Sequence, residues 1–594
     1  MPDYKAPLRD MRFVLNEVLD LDGHYASLGL EDINSELLNA FLEEGAKFSE
    51  NELAPLNRSG DEEGCGFDNG VVTTPKGFKE AYSKYVEGGW PAMGGDPEFG
   101  GQGLPGSSSI AISEMTGTAN WSWSMYPGLS HGAVATIEAH GTDEQKQTYL
   151  PKLTSGEWTG TMCLTEAHCG SDLGLLKTKA EPQADGSYKI TGTKIFISAG
   201  EHDMADNIVH IVLARLPDAP KGTKGISLFI VPKFLTDGNG SVGERNAVTC
   251  GSIEHKMGIK ASATCVMNFD GAKGYLIGPE NKGLNCMFTF MNTARIGTAI
   301  QGLGAAELGF QGSLAYAKER LAMRSLSGPK NPDGIADPII VHPDVRRMLM
   351  RQKVLNEGMR ALALFAGHQL DLSVAHPDET VRESADDLVQ LLTPVVKSFL
   401  TDEGFNNANT GLQVLGGSGF TTDWPLEQLV RDGRIARIYE GTNGIQAMDL
   451  VGRKLSLKGG QLVRTLFGTL SGYLKDNPEA PHREELKNAM KALETATMWL
   501  ASNAPKDPEQ AGAAATPYLR LMALTVIGYL WSRMANVANE QLAAGEGNKP
   551  LLESKVVSAR FYFERLLPEV DWLLGDIQSG KDSLMAFSDD HWAA

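Results

Sequence analysis

Cysteine is scarce, with six in 594 residues and no C-x-x-C pair. That excludes a disulfide-stapled secreted scaffold and fits free thiols in a reducing cytoplasm. Zinc-type Cys/His spacing and an H-E-x-x-H helix are also missing, so no metal is expected. Basic side chains are in deficit, 54 against 74 acidic ones, for a net charge of −20. Such a balance argues against nucleic acid and anionic lipid as partners, and any anion site must be local. Long apolar runs are absent too. Met1-Pro2-Asp3-Tyr4-Lys5 leads into mixed charged sequence without the apolar run of a signal peptide. The most apolar stretch, from Tyr518 to Trp531, is interrupted by Arg520 and is shorter than the ~20 residues a bilayer requires. It reads as a buried helix, not a membrane insertion.

What is present is ordinary globular material, 42% hydrophobic and 22% charged, in a chain of 64.0 kDa long enough for several domains. From Ile33 onward apolar residues recur at helical spacing, as in Leu37, Leu38, Phe41 and Leu42. Between about Gly160 and Gly278 the period shortens to β-type runs: Tyr188 to Thr191, Lys194 to Ser198, Ile208 to Ala214, Ser227 to Val231 and Thr264 to Phe269. Asp185-Gly186 and Thr191-Gly192 have the chemistry of tight connections between strands. Helical periodicity returns at Leu284. The expected architecture is mainly α with a central β-domain: residues 1–159 helical, 160–280 β, 281–455 a helical bundle and 456–594 a C-terminal helical extension. In that extension Leu462, Leu466, Leu470 and Tyr473 form one stripe, and Leu486, Met490, Leu493 and Leu500 another. Thr516-Pro517 reads as a cap followed by proline at the first helical position. Gly302-Leu303-Gly304 imitates a dinucleotide fingerprint, but it lies inside helical periodicity and is read as helix packing.

The segment R-I-Y-E-G-T-N-G-I-Q, Arg437 to Gln446, sets Glu440 between an aromatic and a glycine. Burial would raise the proton affinity of this carboxylate towards that of a working base, and Gly441 would let backbone pass close to a bulky ligand. I-Y-E-G-T resembles the catalytic stretch of the acyl-CoA dehydrogenases, FAD enzymes in which a glutamate removes the α-proton of an acyl-CoA thioester. The resemblance extends in order from about Phe41 to Leu455. T-E-A-H-C-G-S-D, from Thr165, resembles the family's flavin-binding turn, with Ala167 and His168 where the family commonly has Pro and Gly. It implies that Leu164 and Thr165 address the flavin ring and that Gly170 and Ser171 lie near its phosphates, Ser171 also reaching substrate. I-T-G-T-K-I-F-I-S resembles the family's strand pair in which an aromatic covers the flavin and a hydroxyl follows two residues later, and the resemblance implies those roles for Phe196 and Ser198. K-M-G-I-K-A-S resembles the strand-loop beside the CoA channel, with Lys260 in place of an arginine.

Asn292-Thr293-Ala294-Arg295 opens the following helix, where Arg295 matches an arginine at the substrate mouth. A minority of the family carries its base just before that arginine; Ala294 stands here, so the resemblance assigns the base to Glu440. Arg320 matches an arginine on the FAD pyrophosphate. Gln413, Gly416 and Gly417 match a partner-subunit segment that reaches the ADP portion, and Thr442 a contact to adenosine. The resemblance implies FAD as cofactor, an acyl-CoA substrate bound near Glu440 and Gly441, and an electron-transferring flavoprotein as electron acceptor. A cytoplasmic homodimer is expected. The extension places the chain among the long members, and its length, its H-P-D-V-R-R-M-L segment and its T-N-G-I-Q ending look closest to the bacterial 3-(methylthio)propanoyl-CoA dehydrogenases. Three alternatives remain open: a long-chain acyl-CoA dehydrogenase, an acyl-CoA oxidase, and a non-catalytic assembly protein on the same scaffold.

Overall fold

The computed structural model describes residues 3–236 and 240–593; Met1 and Pro2, read above for a leader, lie outside them. The described residues gather into two compact units. One is Lys47–Pro105 with Met115–Gly297, and the other combines the N-terminal stretch to Ala46, Gly106–Glu114 and everything from Thr298 onward.

The first unit holds every described strand. β1 (Gly66–Asp68) and β2 (Val71–Thr73) form a short antiparallel pair. β3 (Trp158–Cys163), β4 (Lys179–Pro182), β5 (Tyr188–Ser198), β6 (Asn207–Ala214) and β7 (Ser227–Pro232) are followed by a minor pair, β8 (Phe234–Thr236) and β9 (Val242–Arg245), then by β10 (Val248–Ile253) and β11 (Thr264–Ile277). The main sheet has seven strands in the order β3-β6-β7-β11-β5-β4, with β10 also on β11. All its ladders are antiparallel except β3 with β6. β6 and β7 are buried along their whole lengths, which explains their unbroken apolar reading. The helix Trp121–His140 covers β3 so closely that a Cβ on Gly160 would fall 2.4 Å from that of Ala133.

Three strand expectations need correction. Tyr188 to Thr191 and Lys194 to Ser198 are one strand, β5, and Thr191-Gly192 is no turn. Gly192 is needed because the chain entering β4 runs so near that a Cβ there would lie 2.9 Å from the Thr178 Cα. β3 and β10 carried too little alternation to be recognised, and β11 runs eight residues beyond Phe269, along β5 as far as Gly274 and then, for its last three residues, along β7. The Asp185-Gly186 turn is present, with Gly186 at φ +82°.

In the second unit, Thr298 onward of the helix Gly283–Glu319 crosses the helix Glu379–Leu415 on glycine contacts. A Cβ on Gly302 would fall 2.2 Å from the Leu400 carbonyl oxygen, one on Gly404 2.2 Å from that of Gly302, and one on Gly411 2.8 Å from that of Gly309. Gly302 thus serves helix packing, as its sequence context indicates. The extension contributes the helices Gln461–Asp476, Arg483–Asn503, Pro508–Ala544, Lys549–Arg565 and Glu569–Ser579. Leu462, Leu466, Leu470, Leu486, Leu493 and Leu500 are buried as their stripes require. Pro517, in contrast, lies inside the Pro508–Ala544 helix. The cap is Asp507, whose side chain accepts from Glu509 N–H, with Pro508 beginning the helix. By length and composition this 37-residue helix is able to cross a bilayer, but 78% of its most apolar window is buried inside the protein. Arg520, which breaks the apolar run, donates through Nη1 to Glu403 at 2.7 Å and through Nε to Glu569 at 2.6 Å.

Candidate active site

Glu440 sits half-buried in the short connection between the 3-10 turn Arg434–Arg437 and the helix Asn443–Gly452. Its φ is +56° and that of Gly441 is +80°. For a glutamate the left-handed region costs about 1–2 kcal/mol, so the surrounding structure must hold it there. The holders are identifiable. Gln446, fully buried, donates from Nε2 to the Glu440 carbonyl at 3.1 Å, and Lys397 donates from Nζ to the Gly441 carbonyl at 2.8 Å. A Cβ on Gly441 would come 2.6 Å from Gln446 Nε2, so position 441 needs glycine for space as well as for φ. Thr442 caps the next helix, its hydroxyl accepting from Ile445 N–H at 3.2 Å. Tyr439 is tied by its hydroxyl to Gln301 Oε1 at 2.5 Å. The result is a carboxylate on a strained but tightly anchored loop, an arrangement suited to a group that must meet its target in one orientation.

In the first unit, β5 is bulged opposite β11. Ile197 pairs with Cys265 and Lys194 with Met267, so Ile195 and Phe196 face Val266 alone. Phe196 takes a φ of +58° and is 60% exposed, among the larger exposures for an aromatic in this protein. A bulge that turns a large apolar side chain outward at a strained φ re-aims it, which pure core packing does not require. The turn resembling the flavin-binding segment is fastened to the same strand. The Thr165 carbonyl accepts from Ile195 N–H at 2.9 Å, and the Leu164 carbonyl from Lys194 Nζ at 2.9 Å. The Thr165 side chain remains half-exposed, while Gly170 and Ser171 are exposed. Ser198 is half-buried, and its carbonyl accepts from the Thr161 hydroxyl at 2.6 Å. An outward aromatic, a nearby hydroxyl and an open glycine-serine backbone fit a flavin ring and its pyrophosphate.

Two residues that the sequence motif left unassigned organise this turn. Glu166 accepts from Lys194 Nζ at 2.9 Å, from the Thr178 hydroxyl at 2.7 Å and from the N–H groups of Thr178 and Lys177. Burial works to raise the Glu166 carboxyl, but the Lys194 ammonium and the Thr178 hydroxyl prevail and hold it at about 2. His168 and Cys169 bring their donor atoms within 4.8 Å of that carboxylate. With both its oxygens engaged, Glu166 is the fastening of the turn. Sequence offered only a weak signal, a Glu and a Lys inside otherwise polar motifs.

The other candidates are distributed as follows. Lys260 is exposed on a cavity of about 410 Å³ lined also by Cys65, Lys256 and Ser262. Arg295 is buried three turns into the helix Gly283–Glu319, not at its opening, with Nη1 3.3 Å from Asn292 Oδ1; Ala294 precedes it. Arg320 follows that helix and is exposed. Gln413 is exposed at the end of the Glu379–Leu415 helix, where Gly416 supplies the positive φ that ends it. A Cβ on Gly417 would meet nothing within 4 Å, so the protein's own packing does not demand glycine there. Such open backbone fits the approach of a phosphate. Lys397, Asn443 and Gln446, which hold the Glu440 loop, were not singled out from the sequence, because a lysine in a helical stripe reads as solvated.

Known protein families cover nearly the whole chain. The acyl-CoA dehydrogenase N-terminal, middle and C-terminal domains match residues 35–157, 161–272 and 281–455, and an acetyl-CoA dehydrogenase C-terminal-like domain matches 466–588. The chain is 40% identical over 590 residues to 3-methylmercaptopropionyl-CoA dehydrogenase of Ruegeria pomeroyi, covering 98% of this chain and 100% of that one. It is 35% identical to butyryl-CoA dehydrogenase of Syntrophomonas wolfei, over 96% of both chains. Among solved structures, an acyl-CoA dehydrogenase complexed with FAD from Bacillus anthracis shares the fold, with a TM-score of 0.74 at 22% identity over 95% of this chain and 91% of that chain.

Proposed function

The chain belongs to the acyl-CoA dehydrogenase family, an FAD-dependent oxidoreductase acting on acyl-CoA, and from that premise we propose that Glu440 is the base that removes the thioester's α-proton. The observation that carries this reading is the anchored left-handed conformation of Glu440 between two buried side-chain donors, Gln446 and Lys397. Bound FAD supplies the acceptor for the hydride that leaves the β-carbon. The Glu440 N–H donates to the thioester carbonyl, acidifying the α-carbon as charge develops on its oxygen. Phe196 covers the flavin ring and keeps water from it. Leu164, Thr165, Gly170, Ser171, Ser198, Arg320 and Thr442 would hold the cofactor, and Gln413, Gly416 and Gly417 would reach the ADP portion of the cofactor bound by a partner subunit. Ser171, Lys260, Arg295 and Gly441 contact the acyl-CoA.

The favoured substrate is 3-(methylthio)propanoyl-CoA, supported by the full-length 40% relative; the butyryl-CoA dehydrogenase at 35% favours a short straight-chain thioester as the second reading. The reading includes an electron-transferring flavoprotein as electron acceptor and a cytoplasmic homodimer. The test is Glu440→Gln. FAD should stay bound while the rate of flavin reduction by acyl-CoA falls on the order of 10²–10⁴-fold. Near-normal reduction would overturn the assignment. Butyryl, octanoyl, palmitoyl and 3-(methylthio)propanoyl thioesters compared on the wild type fix the acyl preference, and a palmitoyl preference would defeat the short-chain reading. Rapid reoxidation by oxygen, in place of the flavoprotein, would make the enzyme an oxidase.

A further inference from the structure

Lys397 lies mid-way along the Glu379–Leu415 helix and is fully buried. Its ammonium donates to the Gly441 carbonyl at 2.8 Å and to Asn443 Oδ1 at 2.8 Å. Asn443 returns to the same helix, its Nδ2 donating to the Ser398 carbonyl at 3.2 Å and to the Thr401 hydroxyl at 3.0 Å. Lys397, Ser398 and Thr401 therefore grip the chain at the two positions that bracket Thr442, directly after Glu440. Burying an ammonium carries a desolvation penalty, and a methionine of similar length would fill the space without it. What the cation adds is a charge-assisted donor, stronger and more directional than a neutral one. The bond it makes is to the carbonyl of Gly441, the second of two consecutive residues at positive φ.

We propose that Lys397 is the positioning residue of the catalytic loop: its ammonium, through the Gly441 carbonyl and Asn443, keeps Glu440 in the left-handed conformation from which it reaches the α-proton. This rests on Glu440 being the base. Lys397 takes no part in the proton transfer. Gln446 supports the neighbouring carbonyl, so removing Lys397 loosens the loop without releasing it. Displacement of a reacting group by about 1 Å costs on the order of 100-fold in rate.

The experiment compares Lys397→Met, Asn443→Ala and Glu440→Gln with wild type as FAD-loaded enzymes. It measures the limiting rate of flavin reduction by butyryl-CoA and 3-(methylthio)propanoyl-CoA, FAD content, substrate affinity, and the isotope effect with α-deuterated thioester. Lys397→Met should lower the limiting rate about 10–100-fold with FAD content and affinity close to wild type, and should raise the α-deuterium isotope effect as proton removal becomes more limiting. Asn443→Ala should move both in the same direction by a smaller factor. A merely structural lysine would lower FAD content and rate together and leave the isotope effect where it was, and that result overturns the proposal. A wild-type rate in Lys397→Met also overturns it. Should that variant fail to fold, an Asn443→Ala enzyme with full FAD and unchanged rate and isotope effect does so instead. Glu440→Gln keeps the two readings apart. If it stays active, the base assignment fails; if it collapses while Lys397→Met is unaffected, only the positioning role fails.

Discussion

Glu114 offers a pH-dependent test of how the second unit is held together. Its carboxylate is buried beside Arg360, whose Nε donates to it at 2.7 Å; Arg360 also binds Glu307 at 3.0 Å and Asp10. Asp10 is shared with Lys555, which reaches it from the C-terminal extension and also binds Glu357 at 2.9 Å; Glu357 in turn pairs with Lys353. Four carboxylates, Asp10, Glu114, Glu307 and Glu357, thus face three cations, Arg360, Lys555 and Lys353, an excess of one negative charge. Burial, working against Arg360 and assisted by Glu307 and Asp10, pushes the Glu114 carboxyl up from 4.5 to about 7. At Asp10 burial also opposes ionisation, but Lys555 and Arg360 prevail and hold its carboxyl at about 2. The excess charge is therefore relieved by a proton on Glu114. Between its unfolded and folded values the native protein keeps a proton that the unfolded chain has released, so this contribution to stability falls as pH rises. Integrating that linkage from about pH 5.5 to about pH 8 gives a loss of about 2 kcal/mol. Glu114→Gln keeps the shape and removes the titration. Its stability relative to wild type, from denaturant unfolding followed by helical circular dichroism, should improve by that amount over the same interval. A difference that stays constant with pH would refute the reasoning.

Phe196→Gly should relax the positive φ and stabilise the FAD-free protein by about 1 kcal/mol, while FAD binds several-fold more weakly. Thermal unfolding read with a flavin titration checks both, and undiminished FAD affinity would show that the exposed ring has no cofactor to cover. Lys194→Met strips the counter-charge from Glu166 and should cost about 3–5 kcal/mol, with partial loss of FAD from the untethered turn. Because Glu166 is held below its unfolded value, its contribution is present above about pH 4.5 and fades towards pH 2; acid titrations of wild type and variant should therefore converge as pH falls. Parallel acid titrations would contradict that account.

Sequence was most informative where a residue type answers a local demand. Gly186 at a turn, the apolar stripes of Leu462 and Leu486, and the glycine at position 441 with its positive φ each follow from a short-range rule, and the structure places them accordingly. It was least informative where the demand comes from a neighbour distant in sequence. Gly192 looks like a turn residue until β4 is seen beside it, and although Gly302 reads as helix packing in the sequence, its partner Gly404, over a hundred residues away, is identified only at the helix crossing the two make possible. Pro517 misled for a related reason: the rule that sets proline at a helix start is sound, but it was satisfied nine residues earlier by Asp507-Pro508, and periodicity alone does not say which proline begins the helix. Buried charges are the hardest class. Lys194, Lys397 and Lys555 are chemically identical to solvated lysines, and each becomes legible only once its partner is known: Glu166 in the turn that resembles a flavin-binding segment, Gly441 and Asn443 in the Glu440 loop, and Asp10 at the opposite end of the chain. All three fasten segments that sequence separates, two of them segments carrying candidate active-site residues. The motif residues would meet the ligands, and the lysines fix where those residues stand, so mutations at the lysines should alter rate and cofactor retention in ways that motif matching does not anticipate.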